Sequence, residues 1–329
     1  MPNVVKIDKW NPDPAIIERA ASVLKEGGLV AFPTETVYGL GADGLRAEAV
    51  RKIYAAKGRP QDNPLILHFS APQETARIAK SSRRALDLME EFWPGPLTLV
   101  LPLLDGSRVP KEVTAGLSTV AIRMPAHPVA LALIEATGRP LAAPSANRSG
   151  RPSPTDARAV AEDLGRFADM ILDAGGVDIG LESTVIDLTG EDVLLLRPGG
   201  LPAETIAAFL GSPLRTPGAS DSPASKRSPG VRYRHYAPDI DVLIWDKKDA
   251  LFMSGVDPAL SGFVGLTKPP VSFARSIIFD SPESYARGLF ASFREMESDG
   301  ACRRIVAEWP EAEGIGLALR DRIKRAAAR

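Results

Sequence analysis

The sequence predicts an α/β (α+β) protein, with a twisted mixed sheet in its first part and a smaller α/β domain after it. Three observations carry this. Short apolar runs of strand length mix with helical periodicities, without strict strand–helix–strand alternation. A stretch rich in proline and serine, Ser212 to Gly230, interrupts the pattern before it resumes. At 329 residues the chain also exceeds one typical domain.

In chain order, Asn11-Pro12-Asp13-Pro14 supplies a capping side chain and a proline preset for a first helical turn. Ile16, Ile17, Ala20, Val23 and Leu24 follow at helical spacing, and Gly27-Gly28 ends the helix. Leu29 to Phe32 reads as a strand, Ala47 to Lys57 as a helix with Val50, Ile53 and Tyr54 on one face, and Leu65 to Phe69 as a strand. A helix near Arg84–Phe92 stops at W-P-G-P, and Leu97–Leu101 resumes as strand. Further strands are predicted at Thr119–Met124, Leu141–Ala143, Met170–Asp173, Ser183–Leu188 and Val193–Leu196, with helices at Pro128–Thr137, Thr155–Leu164 and Ala203–Leu210.

Ser212 to Gly230 holds four prolines and five serines in 19 residues, with Leu214 its only large apolar side chain, so it reads as an extended linker. Beyond it, strands are predicted at Val242–Trp245, Phe263–Leu266, Ser276–Phe279 and Arg304–Ala307, and helices at Ser284–Met296 and Ile315–Ala328. The expected division is residues 1–211, a linker over 212–239, and 240–329.

Composition narrows the function. Forty basic and 41 acidic residues give a net charge of −1, which argues against whole-surface attraction to nucleic acid or anionic lipid. Cys302 is the sole cysteine, so no internal disulfide forms, and three histidines without an H-E-x-x-H pattern leave no dedicated transition-metal site. The N-terminus has Asp8, Asn11 and Asp13 where a signal peptide needs an apolar core, and no uncharged run reaches membrane-span length. A soluble, cytoplasmic protein is expected.

The chemistry concentrates between Phe32 and His68, which reads as a loop-rich stretch. It collects hydroxyls (Thr34, Thr36, Tyr38), glycines (Gly39, Gly41, Gly44), the cations Lys57 and Arg59, Asn63 and His68. Gly39-Leu-Gly41-Ala-Asp-Gly44 formally matches a dinucleotide fingerprint, but Pro33 to Tyr38 separate it from the preceding strand, against that reading. Lys57-Gly58-Arg59 is equally readable as ordinary helix C-terminal chemistry or as a phosphate-facing pair, a point charge beside a planar fork. His68 on an apolar strand and His127 before Pro128 read first as core residues. Arg123, flanked by apolar residues, must sit in an ion pair or face an anionic ligand. Ser145, in A-P-S-A-N, lacks a G-x-S-x-G frame and reads as a binding hydroxyl.

In this order, F-P-T-E-T-V-Y-G-L-G, K-G-R-P-x-x-N-P-L, W-P-G-P-L-T, R-M-P, A-P-S-A-N and E-S-T-V resemble the YrdC/Sua5 family of threonylcarbamoyl-AMP synthases. The motifs span nearly all of residues 10–200, and S-P-G-V-R-Y-R-H-Y-A-P over 228–238 resembles the linker motif of the longer form, which adds a C-terminal Sua5 domain. The resemblance implies a YrdC-like sheet with a concave, positively lined cavity. It also implies condensation of L-threonine, bicarbonate and ATP to threonylcarbamoyl-AMP and pyrophosphate, for t6A modification of tRNA by a separate transferase complex. Carried over by motif, Thr36, His68, Arg123, Ala143 (by backbone) and Ser183 would hold threonine. Arg59, Asn63, Thr119, Ser145, Ser153, Arg197 and Tyr236 would hold ATP, with Lys57 and Arg59 the catalytic basic pair. Mg2+ is expected only as the ion that ATP carries in.

Three rival readings stand beside this. An RNA-binding module with a basic concave surface would show interleaved aromatics and a basic surplus, against 6% aromatics here. A hydrogenase-maturation carbamoyltransferase needs zinc fingers, which one cysteine cannot build. The third is the Rossmann oxidoreductase set aside above.

Overall fold

Two sheets organise the chain, and the computed structural model describes residues 2–218, 227, 235–247 and 255–328. The first sheet is built from β1 (Val4–Lys6), β2 (Val30–Phe32), β3 (Gly39–Asp43), β4 (Ile66–His68), β5 (Leu97–Pro102), β6 (Thr119–Arg123), β7 (Leu141–Ala142), β8 (Met170–Asp173), β9 (Thr184–Asp187) and β10 (Leu194–Arg197). Their order is β1-β8-β2-β3-β7-β4-β6-β5-β9-β10. Parallel pairs (β1–β8, β2–β8, β4–β6, β5–β9) are interspersed with antiparallel ones, so the sheet is mixed, as the irregular strand–helix order predicts.

The helices of this part are α1 (Pro14–Lys25), α2 (Ala47–Lys57), α3 (Arg83–Phe92), α4 (Lys111–Thr114), α5 (Pro128–Thr137), α6 (Ala157–Leu164) and α7 (Ala203–Leu210). Local chemistry sets their ends. Asp13 caps α1 by accepting from the Ala15 amide at 2.8 Å, with Pro14 in the first turn. Gly58 ends α2 at φ +59°, the left-handed region that a side chain resists.

Alternation along the strands divides the core between the two sheet faces. Ala31, Leu67 and Ala142 join the large cluster with Val50 and Ile53 of α2, whereas Val30, Phe32 and Leu141 join Ile17, Ala20 and Leu24 of α1 and Leu133 of α5. Each fully buried Leu or Ile contributes about 1.5–3 kcal/mol. Leu67 pairs with Ala142 and His68 with Leu141, so His68 lies on the α1–α5 face. Farther along that face the apolar cluster shrinks to Ile66, Val100, Ala121, Val185 and Leu196. That is where a polar site can open.

The Gly39–Asp43 segment is a correction. The sequence predicts a loop-rich stretch here, but the segment is the fully buried strand β3, antiparallel to β2 and β7. A Cβ at Gly41 would lie 2.7 Å from the Phe32 ring, so this glycine permits close packing inside the sheet. The strand β1, the 3₁₀ segment Pro72–Arg77 and α4 also went unread.

The second sheet is wholly parallel, in the order β11 (Asp241–Trp245), β14 (Arg304–Glu308), β12 (Ser261–Gly265), β13 (Arg275–Ile278), packed with α8 (Pro282–Ser298) and α9 (Gly316–Ala327). Leu181 of the first part belongs to this second core. Arginines tie the parts together: Arg294 to Asp163 at 2.7 Å, Arg151 to Glu297 and to Asp239, Arg287 to the Asp178 carbonyl, and Arg322 to Glu182. Of the linker, residues 219–226 and 228–234 lie outside the described residues, including the start of the S-P-G-V-R-Y-R-H-Y motif.

Candidate active site

Strand register assembles the site. β4 and β6 run parallel with His68 opposite Arg123, so both side chains leave the sheet together at the strand ends. The Ala143 amide donates to the Ile66 carbonyl at 3.0 Å, which carries the A-P-S-A-N turn past the same edge. Across β5, the Ser183 hydroxyl lies 2.8 Å from that of Thr98. A register shift between Leu195 and Arg197 lets Arg197 fold back, donating from Nη2 to the Ser183 carbonyl at 2.9 Å.

One cavity results. Thr36, Lys57, Arg59, His68, Arg123, Ala143, Ser145, Ser183, Arg197 and Tyr236 all line it. The structure thus brings together ten of the residues expected from the sequence. Asn63, Thr119 and Ser153 are buried but absent from its lining. Asn63 offers its carbonyl to Arg59, Thr119 pairs with Pro102 in β5, and Ser153 donates to Glu182. Sequence reasoning missed Glu182, Asn147 and Ser149 as lining residues, although the first two lie within its own E-S-T-V and A-P-S-A-N motifs.

The cations are held by specific partners. Lys57 is 4% exposed, and its ammonium donates to the Ser145 carbonyl at 2.5 Å and to the Asn147 carbonyl. It is therefore more than a helix-end charge, since it ties α2 to the A-P-S-A-N turn. Burial first, then the Arg59 charge, holds its pKa well below the usual lysine range. Arg59 donates from Nη2 to the Pro64 carbonyl at 2.9 Å, and burial brings its pKa down to about 10. Arg123 meets both conditions posed by its sequence. It pairs with buried Glu35 at 2.7 Å and also lines the cavity.

The cavity histidines are neutral. Burial, then Arg123, lowers the His68 pKa to about 3, and burial, then Arg59 and Lys57, lowers that of His235 to about 3. His68 Nδ1, His235 Nε2 and the Ser149 hydroxyl are buried without a hydrogen-bond partner among the described residues. Such atoms are costly to leave unpaired, and a polar ligand in the cavity could satisfy them. His127, by contrast, is structural. It caps α5, its Nδ1 accepting from the Val129 amide at 3.3 Å.

Tyr236 reaches the cavity lining from the linker side. It sits at φ +68°, stacked on Phe290 of α8 with ring centroids 5.4 Å apart, and the Arg322 guanidinium lies 5.0 Å over its ring. Among the described residues, Glu182 is the one carboxylate on the cavity lining. Among the described residues no group of three His, Cys, Asp or Glu side chains could hold a metal ion, and Glu182 is already engaged by Ser153 and Arg322. The donor set does not suit a resident divalent cation.

A twisted mixed sheet with a cation-lined cavity at its strand ends, joined to a parallel-sheet domain, is the architecture of an α/β enzyme. The comparisons make this specific. The family model described as "Telomere recombination", covering Sua5, YciO and YrdC, matches residues 22–199, and that described as "Threonylcarbamoyl-AMP synthase, C-terminal domain" matches 201–328. The chain belongs to the Sua5/YrdC family of threonylcarbamoyl-AMP synthases, in its form with a C-terminal Sua5 domain. It is 44% identical to the threonylcarbamoyl-AMP synthase of Pyrococcus abyssi over 98% of this chain and 95% of that one, and 43% identical to that of Bacillus subtilis over 97% and 95%. The crystal structure of P. abyssi Sua5 complexed with L-threonine superposes at a TM-score of 0.90, with 43% identity, over 98% of this chain and 97% of that one.

Proposed function

We propose that this chain condenses L-threonine, bicarbonate and ATP to threonylcarbamoyl-AMP and pyrophosphate, and that its product supplies a separate transferase complex for t6A modification of tRNA. The observation that carries the reading is the convergence of Lys57, Arg59, Arg123 and Arg197 with Thr36, His68, Ala143 and Ser183 on one cavity. The threonine complex of the P. abyssi relative supports the amino-acid half of it.

The threonine amine adds to the bicarbonate carbon, an N–C bond forms, a C–O bond breaks and water leaves, giving a carbamate. One carbamate oxygen attacks the α-phosphorus of ATP, the bond from that phosphorus to the bridging oxygen breaks, and pyrophosphate leaves with the electron pair. Both partners are anions, so the four cations must suppress their repulsion and then stabilise charge on the leaving group. Holding the reactants together can supply roughly 7–11 kcal/mol, which makes a covalent nucleophile unnecessary. Arg59, Asn63, Thr119, Ser145, Ser153, Arg197 and Tyr236 are assigned to the nucleotide, of which Asn63, Thr119 and Ser153 lie outside the cavity lining. Thr36, His68, Arg123, Ala143 and Ser183 are assigned to threonine. The neutral His68 can accept or donate a hydrogen bond, and discriminating threonine needs such a partner for its hydroxyl. Mg2+ enters as part of the ATP substrate.

Tyr236 is assigned the role of a lid that excludes water during the reaction. No helix among the described residues is long and apolar enough to cross a membrane. We place the enzyme in the cytoplasm. The test is product formation with isotopically labelled bicarbonate. The label should appear in an adenylate that also contains threonine, and its absence from any adenylate would end this reading.

A further inference from the structure

The cavity must accept a nucleotide triphosphate and a carbamate, yet it is lined by a carboxylate, Glu182. That carboxylate is 7% exposed and lies in the segment that also supplies Ser183. An uncompensated anion there would oppose the anionic substrates and partly cancel the nearby charge of Arg197. The compensation comes from the other end of the chain. Arg322 of α9 is fully buried at 0% exposure and donates from Nε to Glu182 Oε2 at 2.7 Å, while Ser153 donates to Oε1.

The group around it is balanced. Arg322 also donates from Nη1 to Asp321 Oδ2 at 2.5 Å, and Asp321 accepts from Arg325 at 2.9 Å. Glu182, Arg322, Asp321 and Arg325 therefore alternate in sign and sum to zero. Burial works against the Arg322 charge, but Tyr236, Glu182 and Asp321 outweigh it and raise its pKa. Burial likewise works against the Glu182 carboxylate, and Arg322 and Arg197 outweigh it, so its pKa is lowered. Both groups are ionised at neutral pH, and removing Arg322 alone would leave one net negative charge at the cavity wall.

We propose that Arg322 is a positioning residue of this site: it neutralises Glu182, so the cavity's cations act on the nucleotide instead of on an internal carboxylate. This gives the C-terminal domain an electrostatic part in catalysis. It rests on the ATP-using reading above.

The test is titration calorimetry of the full chain with ATP and, separately, with L-threonine. R322M keeps the apolar stem as far as the ε position and deletes the guanidinium, with its charge and its place over the Tyr236 ring. Its ATP affinity should fall about tenfold or more while threonine affinity stays within about twofold, because the added repulsion scales with ligand charge. The double variant E182Q/R322M should regain ATP affinity to within about threefold of the unmodified chain, since no carboxylate remains to be neutralised. Unchanged ATP binding by R322M would overturn the proposal, as would a double variant as weak as R322M alone. Should R322M fail to fold, E182Q/R322M is compared with E182Q. ATP affinity about tenfold lower in the double variant, which lacks the uncompensated Arg322 charge that E182Q retains, supports the proposal, and equal affinity overturns it. An unmodified chain that binds no ATP would instead sink the functional reading itself.

Discussion

Lowering the pH from 7 to 5 should destabilise this fold by about 6 kcal/mol through its three histidines alone. Each is buried, and burial is the largest cause of each lowered pKa: about 3 for His68, about 4 for His127 and about 3 for His235. In the unfolded chain a histidine titrates near ~6.5. Between that value and the folded values, the unfolded state binds more protons than the native state. Stability is therefore fully present above about pH 6.5 and is lost as the pH falls toward the folded pKa values. For one such histidine the difference between pH 7 and pH 5 is about 2 kcal/mol. Three of them approach the whole stability of many domains, about 5–15 kcal/mol.

The discriminating perturbation is H127N. His127 is absent from the cavity lining, and asparagine can still cap α5. Urea unfolding of parent and variant at pH 7, 6 and 5, followed by circular dichroism, measures the effect. Carboxylates titrate alike in both proteins and cancel. The variant should lose about 2 kcal/mol less than the parent over this range. Equal losses would refute the assignment of a neutral, buried His127.

Three further outcomes are expected. Arg59→Ala should lower turnover by about 10²–10³ while the urea midpoint moves little, because Arg59 lines the cavity and its hydrogen bonds to the Asn63 and Pro64 carbonyls stay within its own turn; steady-state kinetics with full turnover would contradict this. Gly41→Ala should destabilise the fold by about 1–3 kcal/mol, since the added Cβ meets the Phe32 ring at 2.7 Å, and an unchanged urea midpoint would count against the packing role. In the range where Lys57 titrates, below that of an ordinary lysine, ATP binding should take up protons, because a triphosphate raises its lowered pKa. Calorimetry in two buffers of different ionisation heat reads that uptake, and Lys57→Met should abolish it.

Much of the architecture was legible in the sequence because its signals are local. Asp13-Pro14 and Gly58 mark helix ends, the apolar runs mark strands, and the cations stand beside turn residues. What stayed hidden depends on distant partners. β3 was unreadable as a strand because its glycines are chosen by Phe32 across the sheet, and their spacing imitates a nucleotide loop. Lys57 gave no sign that its ammonium would be held by carbonyls about 90 residues away. Glu182 stood in a recognised motif, but its meaning depends on Arg322, 140 positions later. Arg123 is instructive in the other direction. A charge among apolar residues required a partner or a ligand, and the structure supplies Glu35 while leaving Arg123 at the cavity.

Pyrophosphate release from ATP, with L-threonine and bicarbonate omitted in turn, is the most direct measurement of the proposed chemistry. Release should require both, because the attacking oxygen exists only once the amine and bicarbonate have combined. Release that continues without either one would contradict it.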